Sequence, residues 1–164
     1  MWGYEPLAVI PLAQLMTAAR FGGLCLGAFD GDRLVAFLYG FVGLKDGAPV
    51  HISQRMAVLP AYRDRGLGER LKRLQREHVL AQGLSWVRWT FDPLETRNGY
   101  LNFVKLGAHA RTYLVDLYGP VSGALNEGLP TDRFEVEWHV RSRRVAAALA
   151  GGGGARARAG EGAE

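Results

Sequence analysis

The sequence predicts a single α/β (α+β) domain built on one sheet, and three observations carry that prediction. Stretches that read as strands outnumber those with helical spacing. Two helical stretches fall between the later strands, so the order after a weakly helical start is β-β-β-α-β-α-β-β. The chain has 164 residues, 48% of them hydrophobic, which suits one core.

Residues 1–22 form an N-terminal segment whose clearest helical piece is PLAQLMTAAR. GLCLGAFDGDRLVAFLYGFVG then reads as two strands around Asp30-Gly31-Asp32, where Gly31 supplies the positive φ of a tight turn. PVHISQRMAVLP is the third strand. Strict alternation places Val50, Ile52, Gln54, Met56 and Val58 on one face and His51, Ser53, Arg55 and Ala57 on the other. The second face is polar, so it looks at water or lines a cleft. Gly66 to Gln82 is an amphipathic helix with Leu67, Leu71, Leu74, His78 and Ala81 as its apolar stripe, and Glu69, Arg70, Lys72, Arg73, Gln75 and Arg76 covering the rest.

LSWVRWTF is the next strand. Asp92-Pro93-Leu94-Glu95 signals a helix start, with Asp92 as N-cap and Pro93 at the first helical position, and that helix stops at Gly107. AHARTYLVDLY and RFEVEWHV are the last strands, separated by a long loop. From about Ala146 the composition becomes Ala/Gly/Arg-rich and low in complexity. Expected boundaries are therefore 1–22, a folded domain over 23–145, and a disordered tail over 146–164.

The most informative stretch is Arg63-Asp64-Arg65-Gly66-Leu67-Gly68, which follows a strand and opens a helix. A helix start carries backbone N–H groups without partners and a partial positive charge. Glycine lets an anion approach that backbone, and arginines can fork onto phosphate oxygens. The corner therefore reads as a pyrophosphate cradle. It has neither the Gly-Lys-Ser/Thr ending of a nucleoside-triphosphate loop nor three dinucleotide-type glycines. Read alone, such a stretch is also consistent with a tight turn flanked by solvated arginines.

The larger pattern V-L-P-A-Y-R-D-R-G-L-G resembles the acyl-coenzyme A binding motif of the Gcn5-related N-acetyltransferase superfamily, with Arg63 as its leading residue and Gly66 and Gly68 at its two small positions. NGYLNFVKLGA resembles the superfamily's second motif, with Ala108 in place of the usual aromatic residue. The resemblance covers roughly residues 24–140. WTFDPL, KLGA and LPTDRFEVEW resemble a bacterial subgroup with relatives tied to N-acylation of amino acids, succinyl transfer included. It implies a mixed, mostly antiparallel sheet flanked by helices, and an acyltransferase using acetyl-CoA or another acyl-CoA. It also implies backbone amides near Met56 and Val58 for the thioester carbonyl, and Arg63, Gly66, Leu67 and Gly68 as coenzyme A contacts. Arg65 flanks the same corner and can fork onto phosphate oxygens, and Asn98 and Asn102, one turn apart on one helix face, could bond the pantetheine amides or face water. The alternative is a non-catalytic acyl-CoA binding module. Two departures stand out. The first strand is missing, because about 20 residues precede Gly22, and Phe103 occupies the place of the usual proton-donating tyrosine.

Transfer to an amine needs a base, and the residues offer Glu135, Glu137 and His51. Arg55 could clamp a substrate carboxylate. Tyr100 and Tyr113 are alternative acids. Cys25 is the only cysteine, and the four histidines lack metal-ligand spacing, so no metal is expected. The formal net charge of +4 comes without a nucleic-acid motif or an aromatic platform, which argues against nucleic acid as partner. Apolar runs are too short to span a bilayer, so the expectation is a cytoplasmic protein. The resemblance implies a small amine, such as an amino acid, as acceptor. With the first strand missing, Gly23–Phe29 becomes an exposed edge. The expectation is then a homodimer that covers it or a marginally stable chain.

Overall fold

The computed structural model describes residues 9–119 and 130–151. Helix α1 (Leu12–Arg20) leads into β1 (Leu24–Asp30), β2 (Arg33–Lys45) and β3 (Ala48–Val58). A single 3-10 turn (Pro60–Tyr62) precedes α2 (Leu67–Ala81), which is followed by β4 (Trp86–Phe91). Helix α3 (Thr96–Gly99) continues as a π-helical segment (Tyr100–Lys105), and β5 (His109–Leu114), β6 (Arg133–His139) and α4 (Arg143–Ala150) complete the order. The six strands form one sheet in the order β1-β2-β3-β4-β6-β5. Only the β3–β4 pair is parallel. This is the mixed, mostly antiparallel sheet flanked by helices that the sequence predicts.

Asp92 does not cap a helix that begins at Pro93. Its Oδ1 accepts from the Leu94 N–H at 2.8 Å in a local turn, and the helix begins at Thr96. A short side chain that bonds the backbone two residues on favours a turn over a helix start. The tail expectation also shifts. Residues 143–150 form α4, capped by Ser142, whose Oγ accepts from the Val145 N–H. Val145 is buried and Leu149 packs on the core, so ordered structure passes the expected boundary at 145. Residues 152–164 lie outside the described residues.

The strict alternation assigned to β3 fails at one residue. Gly40 pairs with Ser53 and Tyr39 with Arg55, so Gln54 is an extra residue on β3. A bulge of this kind reverses the facing of everything after it. His51 and Ser53 therefore share the α2 side of the sheet with Met56 and Val58, and Arg55 goes to the opposite side beside its cross-strand neighbour Tyr39. His51 and Ser53 are buried, so this polar face meets neither water nor an open cleft at those residues.

Helix α2 is rotated from its expected stripe. Leu71, Lys72, Gln75 and Val79 are its buried residues, while Leu74 is exposed. Two apolar clusters lie on this side of the sheet. One joins Ala36, Leu38 and Leu71, with Met56, Val58 and Leu67 against it. The larger joins Val79, Val87, Trp89, Phe91, Leu106, Val136, Trp138 and Val145. The polar group His51, Ser53, Lys72 and Gln75 sits between them. Helix α1 covers part of the other side and has no buried residue.

Candidate active site

The corner predicted from sequence is built as a helix start. Gly66 is the N-cap of α2, with φ 75° and ψ 3°. That conformation strains any residue with a Cβ, and nothing lies within 4 Å of where a Gly66 Cβ would stand. No side chain caps the helix, so its first N–H groups point into open space. A Cβ on Gly68 would meet the Met56 and Leu101 side chains at 3.6 and 3.7 Å, so the second glycine keeps α2 close to its neighbours. Arg63 donates to the Val58 carbonyl at 3.4 Å, and the Arg65 guanidinium lies 5.0 Å from the Tyr62 ring centre. Arg97 pairs with Asp64 at 3.4 Å, and all three arginines are exposed.

Beside this corner the sheet opens. The parallel strands β3 and β4 pair only at His51–Val87 and Ile52–Arg88. Beyond that, Ser53–Val58 is paired with β2 on one side only, so β3 and β4 diverge. A V-shaped opening results, with the helix start near its mouth, since Val58 leads directly into the turn before α2. Met56 and Val58 lie on the strand that borders this opening.

Two residue groups flank the V on opposite faces. On the α2 face, Lys72 Nζ donates to Ser53 Oγ at 2.8 Å and to Gln75 Oε1 at 3.1 Å, and lies 3.7 Å from the Trp89 ring centre. Burial lowers its pKa to about 7. His51 is fully buried with neither ring nitrogen hydrogen-bonded, and its ring centre is 6.0 Å from that of His78. Burial first, then the His78 and Lys72 charges, push His51 down to about 4. On the other face, Arg88 pairs with Glu137 at 2.9 Å and Glu135 at 3.4 Å, and Glu137 also meets His109 Nε2 at 3.2 Å.

The three candidate bases therefore do not converge. Glu135 and Glu137 share one face and are tied to Arg88. His51 is on the other face beneath α2, where a substrate amine has no route to it, so the sequence reading of His51 as a base is corrected to that of a core residue. The strand alternation that grouped it with a polar cleft was broken by the bulge. Asn102 is buried and Asn98 half-buried, on the helix that borders β4. Phe103 packs against Phe91 with ring centres 5.7 Å apart. Tyr113 donates to Asp132, and that bond raises its pKa, while Tyr100 is exposed beside Lys105. An open hollow of about 440 Å³ under α1 is lined by Ala13, Gln14, Thr17, Ala18, Tyr39 and Phe41, on the face that also carries Arg55.

Sequence reasoning missed the buried Ser53–Lys72–Gln75 group. A signal was present: a strand face carrying His51 and Ser53, matched by a helix carrying Lys72 and Gln75 one turn apart.

Residues 2–108 match the acetyltransferase (GNAT) family. The chain belongs to that family and is an acetyltransferase with a coenzyme A thioester as acyl donor. No curated protein matches the chain. Its fold is similar to that of a GNAT-family acetyltransferase from Streptococcus pneumoniae, at 19% identity and a TM-score of 0.62 over 76% of this chain and 72% of that one. It is also similar to the ribosomal-protein-S18-alanine N-acetyltransferase of Escherichia coli, at 17% identity and 0.59 over 81% and 80%. An aminoglycoside 6'-N-acetyltransferase complexed with coenzyme A matches at 14% identity and 0.58 over 79% of each chain. At these identities the likeness shows the fold.

Proposed function

We propose that this acetyltransferase acts on the primary amine of a small molecule such as an amino acid, with the donor's pyrophosphate on the Arg63–Gly68 corner and its arm in the opening between β3 and β4. One observation carries the placement: an uncapped start of a 15-residue helix, opened by a left-handed Gly66 with nothing above it. Backbone N–H groups of Leu67 and Gly68 bind phosphate oxygens, and Arg63 and Arg65 add charge. Asn98 and Asn102 border the arm. Backbone groups along Met56–Val58 polarise the thioester carbonyl as the amine adds to it. The C–N bond forms, the C–S bond breaks, and a thiolate leaves.

The acceptor belongs on the other face, where the hollow under α1 is small and Arg55 can meet a carboxylate. Glu135 and Glu137 supply the carboxylates nearest that face and would take the amine proton once Arg88 shares its charge between them. Two neighbours are named for an alanine of ribosomal protein S18 and for an aminoglycoside, so amine acceptors of quite different size suit this fold.

Substituting Gly66→Val tests the placement. A β-branched side chain there is strained and fills the approach, so coenzyme A affinity should fall about tenfold or more by calorimetry, in a variant that stays folded but melts a few degrees lower. Unchanged affinity in a folded variant overturns the corner. Thiol release from acetyl-CoA and succinyl-CoA across a panel of amino acids, polyamines and peptides tests the acceptor. Turnover confined to peptides would overturn the small-amine reading.

A further inference from the structure

The two carboxylates on the face proposed for the acceptor are not equivalent. Arg88 on β4 faces both, and its Nη1 lies 2.9 Å from Glu137 Oε1 and 3.4 Å from Glu135 Oε1. Glu137 is held at its second oxygen too, where Oε2 meets His109 Nε2 at 3.2 Å. Glu135 Oε2 bonds none of the described residues, and the Glu135 side chain is 21% exposed. Register separates the two further. Glu137 is the cross-strand partner of Arg88, in the row where β3 and β4 still pair. Glu135 is the partner of Thr90, one row nearer the mouth of the V, where the Tyr118 hydroxyl bonds Thr90 Oγ1 at 2.9 Å. Strand β6 lies next to β4, so the Glu135 backbone stands about one strand spacing, ~4.8 Å, from the border of the opening.

We infer that the two carboxylates divide the work: Glu135 is the base that takes the amine proton, and Glu137 is a positioning residue that acts through Arg88. As the C–N bond forms, one N–H proton of the acceptor moves to Glu135 Oε2. The C–S bond breaks, and Glu135 passes that proton through water to the departing thiolate, which restores the carboxylate. This inference rests on the proposed placement of the acceptor on this face.

The bonding pattern gives Glu137 its role. An arginine with a single carboxylate partner closes on it with two parallel hydrogen bonds, and a carboxylate clamped in that way takes up a proton less readily. Glu137 has the shorter bond to Arg88 and is fixed from behind by His109, so it keeps the guanidinium on its own side. Arg133, the next residue on this face of β6, pairs with Asp92 at 3.7 Å. Glu135 is therefore left with one weak contact and one open oxygen.

Thiol release from saturating acetyl-CoA tests the division, with an equimolar mixture of amino acids as one acceptor and an alanine-terminated peptide as the other. Glu135→Ala should lower the turnover rate about a hundredfold or more, with coenzyme A affinity unchanged by calorimetry. Added formate, small enough to enter the space left by the side chain, should restore at least about tenfold. Glu137→Ala should lower the rate by no more than about tenfold, and formate should restore none of it. Adding Arg88→Met to Glu137→Ala should return most of that loss, because the clamp on Glu135 is gone. Glu135→Gln carries the test of the base through the same loss of rate if Glu135→Ala does not fold. Three results overturn the inference: rescue of Glu137→Ala by formate, less than about tenfold loss in a folded Glu135 variant, or no recovery on adding Arg88→Met. Turnover of the peptide alone overturns the small-amine reading, and the variants then decide this inference on the peptide. No turnover of either acceptor by the wild type overturns the acceptor placement and this inference together.

Discussion

His51 shows how one residue can be chosen for chemistry by its type and assigned to the core by its surroundings. It is fully buried, both nitrogens are unbonded, and a Cβ on Gly40 would collide with its Nε2. Such a ring folds only as the neutral form. Its pKa falls from 6.5 to about 4, first through burial, then through His78 and Lys72. The unfolded chain therefore binds more protons than the native one between those values. The resulting stability is fully present above about pH 6.5 and is lost as pH falls toward 4. At its largest this amounts to about 3 kcal/mol. Urea melts at pH 7.5, 6 and 5 should show the wild type losing stability faster than His51→Gln. Parallel curves would mean that the ring protonates in the native state as easily as in the unfolded one.

At the scale of elements, strand and helix types were legible because each apolar period is long. β2 and β3 run 13 and 11 residues, and α2 runs 15. The corner was legible as a helix start too, since Gly66 stands where a strand gives way to a helical repeat. What was not legible was facing. A single extra residue, Gln54, reverses the second half of β3, and no composition signal marks it. The same reversal hid Lys72, a residue that sequence places on a solvated face. Helix α4 was hidden by its Ala-rich composition, yet its docking depends on a glycine that was visible. Gly107 has φ 66°, and a Cβ there would lie 2.9 Å from Ala148 Cβ and 3.0 Å from the Arg144 carbonyl oxygen. Arg144 in turn donates to the carbonyls of Gly107 and Ala108. Gly107→Ala should therefore push α4 off the π-helical segment and cost about 2 kcal/mol through backbone strain and lost packing. A denaturation midpoint equal to wild type would show that α4 adds little to the core.

For the whole molecule, the decisive feature is an unbalanced sheet. One margin is β5, which carries Arg111 and polar neighbours. The other is β1, Leu24-Cys25-Leu26-Gly27-Ala28-Phe29-Asp30, paired on one side only among the described residues. It has no proline, lysine or arginine, and Phe29 is 65% exposed. Helix α1 lies over a face of β1 and β2 and does not add a strand. An apolar edge with free N–H and C=O groups pairs with whatever strand meets it, and a second copy of β1 in antiparallel register is the partner always present. Joining two edges would extend the sheet across both copies and leave each V and each helix start clear, because β1 is two strands away from the opening. Light scattering from micromolar to millimolar protein should give a mass that rises toward twice that of the chain. Phe29→Lys places a charge on this edge and should return the mass to that of one chain without altering coenzyme A affinity. A wild type that stays monomeric over the whole range, with ordinary stability, would show that the β1 edge is closed within a single chain.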